Sequence, residues 1–574
     1  MRKILFIVFF IWLFGSFQKV NATIYYVDFD GGNDSNNGTS STTAWLNLPG
    51  TRNAGNTAFL NKHSIAAGDT IYIKSGTTHN SSDGGRVLID STYYANGTSG
   101  NPITIQRKTD WGLGQIIIDG TGITVSSDDG LFEIQRDYIV IDGVVNNGIK
   151  LQKSSQNGFM IIDTGINGSI LRNLEAANST KANVLVESSN YKSGGYISNV
   201  TLENITAHDS AGGDDWYANI MLQFLDQGLV KNCTAYGAGT GSDGIHLGSC
   251  KNTWVEGCTT YSNGEQGVDI SRDGDYKNND NSYNNTIRNC VSYNNLKMNF
   301  DSNSASRDIY FINDVGWRTT ESEDGDANFH AYEAANRVFF INCTSAATHD
   351  MGYAFSWWSS YYNLAAGSYN SYVINSISSS DTGMSCNVES DYSSRSFNIS
   401  FYNSDFNSVS GSTAVQIKGT NYTKTNINNG TGGWPGTNCK AVDPLYVALG
   451  STWATTDLRL QASSPCIDAG VFPFTTASSG SGTVVSLSKL VADLDARMVF
   501  RAGDTIQIEG AGQFAVSSVN SATQITLTSS ASWQSGQGVW FPWPHQKLDM
   551  GALPIIQDYA KSPPSPPSAL TIIE

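Results

Sequence analysis

Proline and charge are both scarce in this chain. Only 13 of 574 residues are Pro and only 15% are Asp, Glu, Lys or Arg, while 57 are Gly and 39% are hydrophobic. That balance excludes collagen-like and wholly disordered chains. Basic residues are in deficit, 34 against 51 acidic, for a formal charge of −17. Such a surface repels nucleic acid and anionic membranes, and a polyanionic substrate would need a local cation. Apolar runs are missing after the N-terminus, where Arg2 and Lys3 precede the run from Ile4 to Phe14 and then Val20-Asn21-Ala22. The run falls short of the roughly 20 residues that span a bilayer. It reads as a cleaved secretory signal, with a mature chain starting near Thr23, no membrane insertion and work outside the cytoplasm. Cys-x-x-Cys and His-rich zinc spacings are also absent, although there are 8 Cys.

Length alone allows roughly three or four ordinary domains, but an elongated repeat absorbs as many residues in one body. Periodicity decides. Gly143, Asn173, Asn204, Asn232, Gly257, Asn289, Asn313, Asn342, Asn375 and Asn403 each follow an Ile, Leu, Val or Phe by two residues, at spacings of 24 to 33. Cys233, Cys258, Cys290 and Cys343 come one residue after such marks, so place in a repeat explains them better than disulfide pairing. A Leu-rich consensus and amphipathic helical segments are missing. Short Val/Ile/Phe strands instead alternate with Gly/Asn/Ser/Asp turns, the pattern of an all-β, right-handed parallel β-helix, a solenoid. Asn at a corner tolerates left-handed backbone and can ladder its amide from coil to coil.

One strand per coil is readable in Ile220-Met221-Leu222, Ile245-His246-Leu247, Val268-Asp269-Ile270 and Met298-Asn299-Phe300. With the apolar outer residues inward, the period of two points Met221, His246, Asp269 and Asn299 outward in one row. Lys297 and Asp301 flank Asn299, and Phe329-His330-Ala331 continues the row. Asp243, Glu265, Gln266 and Asp269 then bring oxygens from coils about 4.8 Å apart to one strand edge. Calcium takes six to eight oxygens at roughly 2.3 to 2.6 Å, and such a frame supplies several. Ordinary turn carboxylates in an acidic repeat protein are the competing reading.

Ser242-Asp243-Gly244-Ile245 and Glu265-Gln266-Gly267-Val268-Asp269, one coil apart, resemble the phrases of family 9 pectate lyases over roughly Asp209 to Ser302. The resemblance implies a β-helix that binds Ca2+ through Asp243, Glu265 and Asp269, with Gln266 where the family has Asp, and a Lys base on the following coil. Asn299 occupies the matching Lys position and Lys297 lies two residues earlier. The implied reaction is β-elimination on a uronic-acid polymer, with Lys297 as base and His246 and His330 in reserve. Arg272 is placed to pair with a substrate carboxylate, or else with Asp273 or Asp275. Asn299, Asp301, Trp357 and Trp358 complete the expected substrate contacts, the indoles by stacking on sugar rings or by packing on the flank.

The expected organisation is a signal peptide at 1–22, an N-terminal cap and first coils at 23–130, the site-bearing β-helix at 131–470, an inserted small β module at 471–545, a closing strand at 546–560 and a Pro-rich tail at 561–574. Cys439 and Cys466 are a candidate disulfide. The function expected is a secreted, calcium-dependent, monomeric polysaccharide lyase. The alternatives are a glycoside hydrolase pairing Asp269 with Asp243, Asp301 or Glu333, and a non-catalytic carbohydrate-binding solenoid.

Overall fold

A computed structural model describes residues 22–189, 195–213, 217–272, 282–317, 327–332, 335–348, 351–356, 367–381, 383–391, 395–545 and 547–552. The expected signal segment, save Ala22, and the Pro-rich tail lie outside these residues, as do Asp273, Asp275, Glu333, Trp357 and Trp358. Among the described residues no helix is long and apolar enough to cross a membrane.

The chain winds into a parallel β-helix. A 13-stranded sheet forms one face, and a 23-stranded sheet folds around the other two. Ile170–Ala177 and Thr201–His208 run through the corner that joins those two faces, so Ile170–Ala177 pairs with Ile139–Asp142 before its Asn and with Ile149–Gln152 after it. That corner is where the repeat marks lie. From Asn173 to Asn403 every one has a left-handed backbone, with φ between 45° and 64°. At the first mark the left-handed residue is Val144, not Gly143. Asn204 donates to Asn173 and Asn313 to Asn289 through their side-chain amides, at 3.1 and 2.8 Å. From Asn173 on, these corners turn at residues that tolerate positive φ, and where Asn stacks on Asn one side chain also satisfies its neighbour's amide.

The interior is filled by stacked rows. On the 13-stranded face Ile220, Ile245, Val268, Phe300, Phe329, Tyr353, Cys386 and Val415 lie one above another, all buried. The rings of Phe300, Phe329 and Tyr353 stack at 4.9 and 5.1 Å, the rung spacing itself. Cys233, Cys258 and Cys290 stack inward behind the corners; the Cys233 and Cys258 N–H groups each face the next sulfur at 3.4 Å, and the Cys290 N–H donates to Asp314 Oδ1 at 2.7 Å. All eight thiols are free and buried, Cys439 and Cys466 included. Trp45, fully buried against Tyr25 and His63, packs at the N-terminal end of this core.

Near the C-terminus Phe474–Thr476, Gly480–Lys489, Thr505–Ile508, Gly512–Ser521, Gln524–Trp533 and Gly538–Trp540 close into a barrel, the small β module expected from the alternation there. It docks on the helix flank. Tyr310, Phe339, Ile312, Ile341 and Ile374 share one apolar cluster with its Phe474, Phe500 and Trp540. Arg288 pairs with Glu256 of the helix at 2.7 Å and with Asp504 of the module at 2.6 Å.

Candidate active site

The site is a row on the outer face of the 13-stranded sheet. Parallel register stacks Leu185, Met221, His246, Asp269, Asp301, His330, Ala354 and Asn387. The row begins apolar and becomes two adjacent carboxylates flanked by an imidazole on each side. Asp301, not Asn299, is the member contributed by Phe300–Ser302, which corrects the expected row by two residues. Asn299 is completely buried and belongs to an internal amide ladder. Asn183, Asn219, Asn263, Asn295, Asn299 and Asn328 pass hydrogen bonds of 2.6 to 3.1 Å along it. Its carbonyl and side chain are both engaged inside, so it offers nothing to a substrate.

The same ladder accounts for the glycines of the two motifs. A Cβ at Gly244 would stand 2.7 Å from Asn263 Nδ2, and one at Gly267 would stand 2.0 Å from Ser292 Oγ. Only Gly lets these strands approach the buried amides, and the preceding acidic residues are thereby held at the strand edge.

Asp243, His246 and Asp269 meet. Their ligand atoms lie within 4.8 Å of one another. His246 Nδ1 is 3.0 Å from an oxygen of each carboxylate, and its Nε2 is 3.2 Å from Ser271 Oγ. Asp243 also accepts the Gln266 backbone N–H at 2.9 Å. Burial raises the pKa of both carboxyls, and contact with His246 opposes the rise. Two such groups on one imidazole favour a further positive charge. Gln266, whose backbone N–H meets Asp243, carries a buried Oε1 without a hydrogen-bond partner. Asp243, Asp269 and Gln266 are hard oxygen donors of the kind Ca2+ takes, and the residues present fit that ion.

Glu265, the third expected ligand, is buried and faces Lys297 Nζ at 2.5 Å. Lys297 is tied to the same rung through its N–H to the Glu265 carbonyl, 3.0 Å. Arg272 follows Ser271 directly and is half-buried. One coil on, Asn303 Nδ2 donates to Asp269 Oδ1 at 2.8 Å and to Asp301 Oδ2 at 2.9 Å, binding the two carboxylates together. His330 Nδ1 stands 3.1 Å from Asp301 Oδ1, and its Nε2 stands 2.7 Å from Ser356 Oγ. Ser271, Asn303 and Ser356 were not among the expected residues. Ser271 and Asn303 stand two residues beyond row members, and the period of two was the signal that could have found them.

No family model matches the chain, and no curated protein matches its sequence. Among solved structures it is similar to pectate lyase Pel9A, with 15% identity and a TM-score of 0.43 over 80% of this chain and 94% of that one. It is also similar to the A-module of the Azotobacter vinelandii mannuronan C-5 epimerase AlgE6, with 13% identity and a TM-score of 0.43 over 66% and 91%. A rhamnogalacturonan lyase matches with 14% identity and a TM-score of 0.37 over 77% and 96%.

Proposed function

We propose that the protein is a secreted, calcium-dependent, monomeric polysaccharide lyase that cleaves a uronic-acid-containing, pectate-like polymer by β-elimination. The observation that carries this reading is the convergence of Asp243 and Asp269, from adjacent coils, on the outer face of the helix. Asp243, Asp269 and Gln266 hold the ion, with Glu265 at the same edge. When bound, Ca2+ neutralises the sugar carboxylate and offsets the enolate-like charge that develops as the C5 proton leaves. Lys297 takes that proton. Its counter-charge is Glu265, so any cation sharing that carboxylate disfavours the ammonium and frees the amine to act as base. Arg272, just beyond the Asp269 strand, clamps a second carboxylate of the polymer. The partner is thus an acidic polysaccharide, bound at a place where the chain's own charge of −17 is locally overcome.

The test follows the ultraviolet absorbance of an unsaturated uronide on a panel of polyuronates, with calcium or with chelator. Absorbance that chelator abolishes is the expected result. New reducing ends without absorbance would instead select hydrolysis by Asp269 and Asp301, whose adjacent-rung placement, bridged by Asn303, is the one feature that favours that second reading.

A further inference from the structure

Asp301 and His330, further along the row, and Ser356, two residues beyond the row member Ala354, are not used as ion ligands or as the base in the proposed elimination. They come from three successive coils: Phe300–Ser302, Ala327–Tyr332 and Met351–Ser356. His330 divides its two nitrogens between them, Nδ1 toward Asp301 at 3.1 Å and Nε2 toward Ser356 Oγ at 2.7 Å. Asp301 and His330 are almost wholly buried, whereas Ser356 is half-buried at the strand end. Asp301 Oδ1 and His330 Nδ1 approach to 3.1 Å without aligning into a hydrogen bond, and neither has another hydrogen-bond partner. That is the division of labour of an activated serine: a carboxylate that orients the ring, an imidazole that accepts a proton, and a hydroxyl within reach of it.

The space beside Ser356 also differs from the rest of the row. Ala354, directly above His330, has the smallest side chain since the row turned polar, and Asn387 lies directly above Ala354. In the row, therefore, only the methyl group of Ala354 stands between His330 and Asn387. Asn387 carries a buried amide oxygen without a hydrogen-bond partner. The corresponding set one helix segment earlier, Asp243, His246 and Ser271, lacks this freedom. Its imidazole is shared by two carboxylates and its Ser271 is buried.

From this geometry we infer a second activity: Ser356, His330 and Asp301 form an acyl-ester hydrolase centre for small acyl groups, acetyl above all, carried on sugar hydroxyls. Ser356 Oγ attacks the ester carbonyl while its proton passes to His330 Nε2. The C–O bond to the sugar breaks, and the leaving alkoxide takes that proton. Water, deprotonated in turn by His330, then attacks the acyl-serine, releasing the carboxylic acid and restoring the Ser356 hydroxyl. Asn387 donates its amide N–H to the oxyanion, and Asp301 keeps Nδ1 protonated and the ring in place.

The full chain is incubated with p-nitrophenyl acetate and with an acetylated polysaccharide, and separately with a fluorophosphonate probe followed by peptide mass spectrometry. Acetate release and a probe adduct on Ser356 are expected. Ser356→Ala should abolish the adduct and lower turnover at least about 1000-fold. Asn387→Ala should lower kcat about 100-fold with little change in KM. Circular dichroism confirms that both variants are folded. A folded wild-type chain that releases no acetate and takes no adduct overturns the inference, as does turnover that survives Ser356→Ala. Neither result bears on the elimination reaction, which has its own absorbance.

Discussion

At the residue scale, holding a cation and moving a proton fall to different side chains in the proposed reaction. Lys297→Ala removes the base and leaves Asp243, Asp269 and Gln266 in place. Turnover should fall about 100- to 10,000-fold with calcium affinity unchanged. Steady-state rates with calorimetry on the same preparation check this, and turnover within threefold of wild type would move the base elsewhere. The acidic motif was readable because Asp243, Glu265 and Asp269 sit beside glycines that fix the strand edge. The position of Asn299 was not. Met298-Asn299-Phe300 alternates like its neighbours in sequence, but the strand starts only at Phe300 and the preceding turn folds Asn299 into the amide ladder. A buried Asn satisfied by other Asn side chains leaves the same mark in a sequence as an exposed one.

At the element scale the coil corners carry the repeat. Asn289 has φ 57° and accepts from Asn313 at 2.8 Å. Asn289→Ala loses the bond and keeps a Cβ in left-handed backbone without the polar group that makes it tolerable, for about 2 kcal/mol, whereas Asn289→Gly loses the bond but suits the geometry, for about 1 kcal/mol. Urea unfolding of the pair measures the order, and equal losses would contradict the corner argument. These corners were legible because left-handed geometry selects a particular residue type. A buried carboxylate further along the stack gives a pH dependence. Asp405 is fully buried, and burial raises its carboxyl to about 7. The folded state therefore binds this proton more tightly than the unfolded chain. Its contribution to stability is complete below the unfolded value near 3.8 and is lost as pH rises through about 7. Asp405→Asn, which keeps an acceptor for the Val442 N–H, should flatten that fall in urea midpoints between pH 4 and 8 and stabilise the protein at neutral pH.

At the scale of the whole molecule the solenoid and its inserted barrel behave as one packed body along the flank. The barrel's own alternation was readable, but its docking was not. Arg288 and Asp504 are 216 residues apart, and nothing local distinguishes Tyr310, Phe339 and Tyr372 from other outward aromatics. Tyr310 and Tyr372 both donate hydroxyls to Asp493 of the module, at 3.3 and 2.5 Å. Asp504→Ala strands the buried Arg288 guanidinium with Glu256 alone and should cost roughly 3 kcal/mol, seen as a lower urea midpoint. A change under 0.5 kcal/mol would mean the barrel is held by its apolar contacts and not by this ion pair.

The central claim is that side chains from neighbouring coils share one cation. Calcium titration calorimetry on the wild-type chain and on Asp269→Ala, side by side, tests it. One site per chain that disappears in the variant is the result this account requires. Equal binding by both chains, or by neither, would contradict it.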